Sequence, residues 1–198
     1  MQLVRADLAV SLDGVAAGRN QSREHPFGPE VGERLGTWMF EHSEENQAEI
    51  DAIVDAGAFV MGRHMFGADR GDWDLDWQGW WGPEPPYHGP VFVLAHRPRP
   101  DLVMEGGTVF HFVTDGPEAA LERARAAAGT RDVSIAGGPG TTNVFLALNL
   151  IDELRLHIVP ITLGQGIRVF EGVPDLTLVP VSSRTTSHVT HVSWRLSS

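Results

Sequence analysis

Cysteine is missing from all 198 residues. That excludes disulfides, thiolate metal sites, thiol nucleophiles and redox-sensing thiols, so any redox chemistry has to belong to a bound cofactor. Basic residues are few: 15 Lys and Arg face 26 Asp and Glu, for a net charge of −11. Nucleic-acid binding depends on clustered cations that release counterions, and this balance argues against it. Long apolar runs are lacking too. Nothing approaches the ~20 residues of a membrane span. The opening MQLVRADLAVSLDG alternates and carries charges where a signal peptide has an unbroken apolar stretch. A soluble, cytoplasmic protein is the expectation.

Compact domains run to about 100–200 residues, so residues 1–198 read as one domain. Its size lets it bury roughly 70% of its unfolded surface without disulfide or metal staples. Strand-like and helix-like runs alternate, which points to an α/β architecture. Residues 3–10, 58–61, 91–95, 109–113, 132–136 and 153–159 read as strands, and 176–179 and 188–196 as a β-rich tail. The apolar run at 58–61 has the character of a parallel strand buried on both faces. Residues 31–40 are moderately helical, and 44–56 more so, with Ile50, Ile53 and Val54 on one face. PEAALERARAAAG predicts a helix over 117–128, capped by Thr114 or Asp115 and ended by Gly129. A further helix is predicted over 141–150.

Chemistry concentrates where strands end in glycine. In DVSIAGGPGTT a strand runs into Gly137, Gly138 and Gly140, with a helix starting near Thr141. Such glycines let backbone approach an anion, and the free N–H groups and dipole of a helix start favour phosphate. The other reading is a tight αβ connection and nothing more. The pattern is neither GxGxxG nor a P-loop with its lysine. MGRHMFG is a second strand-to-glycine junction, where Arg63 can fork onto a phosphate. VLAHRP is a third, with His96 and Arg97 after a buried strand.

Together these segments resemble the dihydrofolate reductase-like superfamily, in the branch that holds the C-terminal reductase domain of the riboflavin-pathway bifunctional enzyme. The resemblance rests on SLDG (11–14), FVMGRHMF (59–66), VFVLAHRP (91–98), AGGPG (136–140) and, most specifically, LIDELRLHIVPITLGQGIRVF (150–170). It implies a single-domain α/β fold with a mixed, mainly parallel twisted sheet flanked by helices. It also implies NADPH as cofactor and hydride transfer to a small heterocyclic or conjugated, pteridine- or pyrimidine-like substrate. By position, Gly62, Arg63 and His64 look like a phosphate-binding helix start, with Arg63 toward the adenosine 2′-phosphate. Ala95, His96 and Arg97 look like the segment beside the adenosine ribose. Gly137, Gly138, Pro139, Gly140 and Thr141 look like the diphosphate loop, which in the family often contains a cis Gly-Gly peptide. Asp13 and Gly14 look like the segment near nicotinamide and substrate. The family also leads one to expect a homodimer, with the β-rich tail as its interface.

The resemblance leaves the proton donor unassigned. Glu30 and Glu33 stand near the place of the pterin-binding carboxylate but lack its surrounding motif. Asp13 is the candidate catalytic residue, and an Asp-Gly turn is its other reading. Residues 67–90 carry Trp73, Trp77, Trp80, Trp81 and Tyr87, readable as a pocket wall or lid, or as a plug over the core or an interface. The nine histidines suggest no metal constellation, since His188 and His191 on one strand would face opposite ways. Two functions follow: an NADPH-dependent reductase, or a binding or stress-related protein of the same fold that binds the cofactor but has lost catalysis.

Overall fold

A computed structural model describes residues 2–197. The chain begins with β1 (Val4–Ser11) and the short β2 (Val15–Ala17), then α1 (Thr37–Phe40), α2 (Ser43–Val54), β3 (Ala58–Gly62) and α3 (Arg63–Phe66). The long insertion follows, then β4 (Pro90–Leu94), β5 (Leu102–Val103), β6 (Val109–Val113), α4 (Pro117–Ala128), β7 (Val133–Ile135) and α5 (Pro139–Ala147). The tail is β8 (Glu153–Val159), β9 (Ile167–Arg168), β10 (Leu178–Thr185) and β11 (Thr190–Leu196).

Nine strands form one sheet in the order β10-β11-β8-β1-β7-β3-β4-β6-β5. The six central strands, β8 to β6, pair in parallel, and antiparallel strands close both edges. The sheet is therefore mixed and mainly parallel, as expected. Ala58, Phe59, Val60 and Met61 are all fully buried, because both faces of β3 are covered. On one face Ala58 and Val60 join the alternate residues Val4, Ala6, Leu8 and Val10 of β1 beneath α4 and α5.

The opposite face is covered in two halves. Under β1 and β8 lies a cluster around Trp38, with Ile50 and Ile53 of α2 packed against it. Under β3, β4 and β6, Phe59, Met61, Val91, Val93 and Phe110 meet Trp73, Trp77, Trp81 and Tyr87 of the insertion. Residues 67–90 thus supply in aromatic area what a crossover helix supplies elsewhere, which is the plug reading of these tryptophans.

Several boundaries differ from expectation. Gly116, at φ 97°, is the N-cap of α4 with no side-chain cap, so neither Thr114 nor Asp115 caps it; Pro117 at the first turn needs no N–H partner. Helix α5 begins at Pro139 rather than Thr141, because proline suits a first turn. Residues 31–40 split into a 3-10 turn over Gly32–Leu35 and the single turn of α1. Strand β10 runs to Thr185, well past the expected 179. It is an edge strand exposed along most of its length, Val179 and Val181 included, so no buried face imposes an alternating pattern on it.

Candidate functional site

Strands β1, β7, β3 and β4 are adjacent and parallel, so the segments leaving their carboxyl ends share one edge of the sheet. That edge is where open α/β sheets bind ligands. It carries Gly14 after β1, Gly137 to Thr141 after β7, Gly62 to His64 after β3, and Ala95 to Arg97 after β4. Sequence had these as separate segments, and the topology brings them together.

The centre is tightly built. The Gly62 N–H donates to the Gly137 carbonyl at 3.0 Å, and the Gly137–Gly138 peptide is cis. A Cβ on Gly62 would stand 2.2 Å from Thr141 Oγ1, so only glycine lets the β3 end meet the α5 start. Gly137 has φ +91°, with Met65 and Leu8 beneath it. Over Gly138 and Gly140, by contrast, nothing lies within 4 Å of a built Cβ. The start of α5 therefore leaves room for a ligand beside Gly138 and Gly140, at the end of a helix where an anion is favoured.

All 15 basic residues are arginines, so anion binding falls to planar forks and histidine rings. Arg63 lies with its guanidinium 3.9 Å from the Trp73 ring centroid and donates to the Asp72 carbonyl at 3.2 Å. Burial first, then the charge of Arg97, push its pKa down. Its Nε is buried without a hydrogen-bond partner. An anion between Arg63 and Arg97 would relieve both. Arg97 is exposed and ion-paired with Asp72, and His64, His96 and Arg97 all face solvent. Trp73 in turn donates to the Arg97 carbonyl at 3.0 Å.

Asp13 occupies the other end of this edge. Its carboxylate accepts from Ser11 Oγ at 2.6 Å, Leu163 N–H at 3.0 Å and Gly164 N–H at 2.8 Å. These bonds hold its pKa far below the usual carboxylate range. The Gly14 N–H donates to the Ser11 carbonyl and Gly14 has φ 82°, a tight turn of the kind Asp-Gly favours. An ionised Asp13 thus ties the β1 turn to the loop after β8 and has no proton to give. Glu30 is likewise engaged, accepting from the Arg19 N–H at 2.6 Å, and Glu33 is exposed.

Some contributors carried no sequence signal. Asn143 bonds the Arg168 carbonyl and the Phe170 N–H, both at 2.8 Å, fixing the β9 segment to α5. Arg168 donates to the carbonyls of Asp13 and Gly164. Between α5 and this segment lies an open cleft of about 320 Å³, bordered by Arg19, Gly140, Asn143, Val144 and Glu171. It continues from the glycine cradle at Gly140. Away from this edge, His42, Glu45 and His188 bring one ligand atom each within 4.8 Å of one another. No sequence pattern pointed to this grouping, because His42 and His188 lie 146 positions apart in sequence and only the fold joins them.

Among the described residues no helix is long and apolar enough to cross a membrane. No curated protein matches the chain. Among solved structures, a protein assigned to riboflavin biosynthesis from Shewanella sp. PV-4 superposes with TM-score 0.67 at 21% identity, covering 100% of both chains. A pyrimidine reductase-like protein from Corynebacterium diphtheriae gives TM-score 0.60 at 14% identity, covering 100% of this chain and 92% of that one. RibD of Acinetobacter baumannii gives TM-score 0.62 at 16% identity, with 100% of this chain spanning 58% of that one. At these identities the likeness is one of fold. The sequence itself matches the family described as RibD C-terminal domain over residues 2–192, nearly its whole length, and the chain belongs to that family.

Proposed function

We propose that the chain is an NADPH-dependent reductase of a small pteridine- or pyrimidine-like substrate. The observation that carries this reading is the convergence, on one sheet edge, of an open glycine cradle at the start of α5 with Arg63 and Arg97 at the ends of β3 and β4. Gly138, Gly140 and Thr141 would hold the diphosphate, and Arg63 with Arg97 the 2′-phosphate. His96 would border the ribose. The nicotinamide, when bound, supplies the hydride. The chain's own contribution is to bind and orient: Asp13, Arg168 and Asn143 fix the walls of the cleft that continues from Gly140. The family match and the C. diphtheriae protein's description as pyrimidine reductase-like support the substrate class.

The second reading, a cofactor-binding protein without turnover, draws on Asp13, whose two carboxylate oxygens are both committed to backbone N–H groups, and on Glu30, which accepts from the Arg19 N–H. The two separate by experiment. Calorimetry is expected to give saturable NADPH binding that Arg63→Ala weakens about 10- to 100-fold, the loss of one or two charge-assisted bonds, with NADH affected less. Absorbance at the nicotinamide band then follows oxidation against pyrimidine, dihydropteridine and flavin panels. Turnover of one substrate ends the second reading; retained NADPH with no turnover ends the first, and absent binding overturns both. The proposal includes a homodimer through the exposed β10 edge, which light scattering reads directly.

A further inference from the structure

The N-terminus of α2 and the tip of the β10–β11 hairpin meet beside the β10 edge of the sheet. His42 precedes the helix and Glu45 lies in its first turn. His188 stands in the hairpin turn, which the Thr186 N–H closes onto the Val189 carbonyl at 2.9 Å. The two imidazoles stack face to face, 3.6 Å between centroids and 15° between planes. Among the described residues, neither ring's nitrogens make a hydrogen bond, although the Glu45 carboxylate lies within reach of both. Glu45 is aimed at the same spot by Ser187, whose N–H and Oγ both donate to its Oε2 at 3.3 and 3.0 Å.

The two segments are held in register from behind. Buried Asn46 donates to the carbonyls of Trp38 and His42 at 3.0 and 2.7 Å, and its Oδ1 accepts from Thr186 Oγ1 and the His191 ring at 3.0 and 2.9 Å. Arg184 adds an ion pair to Glu49 and a bond to the Glu45 carbonyl. The backbones that present the three side chains are therefore fixed by contacts the side chains themselves do not make.

We propose that His42, Glu45 and His188 form a binding site for a divalent transition ion of the zinc type. Two imidazoles and a carboxylate are a ligand set such ions accept, with water completing a tetrahedron. Ligand atoms of one zinc ion lie about 3.3 Å apart, from bond lengths of about 2.0–2.1 Å. The three groups start within 4.8 Å, and the stacked rings hold their in-plane lone pairs nearly parallel, so rotating at least one ring onto the ion, with closures of up to about 1.5 Å, completes the shell. The bound ion staples α2 to the edge hairpin. Its binding stabilises the folded state by mass action.

The test uses the full, tag-free chain in a non-chelating buffer, titrated with zinc chloride by calorimetry and with cobalt(II) by visible absorbance. One saturable site per chain is expected, with the cobalt bands of a four-coordinate N/O site and a thermal midpoint that rises with zinc. His42→Ala and His188→Ala are each expected to weaken binding at least 10-fold. The double variant should abolish it while circular dichroism stays unchanged, since His188 is exposed and His42 only half-buried. No saturable binding overturns the proposal. So does binding that survives the double variant within two-fold, which would put the ion on other histidines. Neither outcome depends on NADPH, so the cofactor reading stands or falls separately.

Discussion

Asp72 pairs its carboxylate with Arg97 while its carbonyl accepts from Arg63. One residue of the insertion thus engages both cations that the cofactor's 2′-phosphate would use, as an internal stand-in for that anion.

Removing the stand-in should favour the phosphate. Asp72→Ala frees Arg97 from a pair that is more than half exposed on both sides, worth up to about 1 kcal/mol. NADPH affinity is expected to rise about two- to five-fold, with NADH unchanged, by calorimetry at low ionic strength. An equal gain for both cofactors would show that Asp72 does not oppose the 2′-phosphate.

Arg99 should matter through the insertion rather than the site. Its guanidinium is buried and donates to the carbonyls of Asp74, Leu75 and Trp77 while lying over Phe66, Trp73 and Phe112. Arg99→Ala strands those carbonyls and opens the aromatic layer, at a cost of about 2–4 kcal/mol. For a chain this size the thermal midpoint falls by about 4–16 °C. Tryptophan emission shifts to the red as the layer wets.

The Gly62 contact predicts a compensated pair. Gly62→Ala drives a methyl into Thr141 Oγ1 and is expected to lower both stability and NADPH binding. Thr141→Gly in the same chain removes the obstacle and should recover most of the lost stability. Additive losses in the double-mutant cycle would place the cost elsewhere.

Acid should weaken the fold through His191. Its Nδ1 lies 2.7 Å from His157 Nδ1 and its Nε2 2.9 Å from Asn46 Oδ1, so it donates to Asn46 and accepts from His157. Burial, then the neighbouring His157, push its pKa down to about 4, against the opposing pull of Glu49. The unfolded chain, with this group near 6.5, binds the proton more readily between those values. Stability is therefore full above about pH 6.5 and falls as pH drops toward 4, by up to about 1.4 kcal/mol per pH unit. Urea unfolding from pH 7.5 to 4 reads this slope, and His191→Asn should flatten it.

The sequence carried the central sheet because its signals are local. β6, β8 and α4 fall where apolar runs and a helix-forming stretch with flanking glycine put them. Its glycine-terminated strands also marked the candidate edge, since a strand that must meet a helix start at Gly62 has no room for another residue. What stayed hidden depends on distant partners. Nothing beside Asp72 announces Arg97, nothing in His42 announces His188, and Asp13 looked available until Leu163 and Gly164 claimed both its oxygens. β10 was short-read for a different reason: its surroundings are mostly water, and water imposes no alternation.

The aromatic cover over β3, β4 and β6 has one more implication. A helix in that place would carry its own ladder of backbone bonds and stay ordered whatever happened at its rim. This layer is ordered by side chains, and Trp73 belongs both to it and to the resting place of Arg63. If a ligand at the proposed site draws Arg63 off that ring, it would work against this cover, and part of its affinity would be set by how firmly the cover packs. Tightening the layer from the far side, at Trp81 or Tyr87, would be felt at the anion site without touching it.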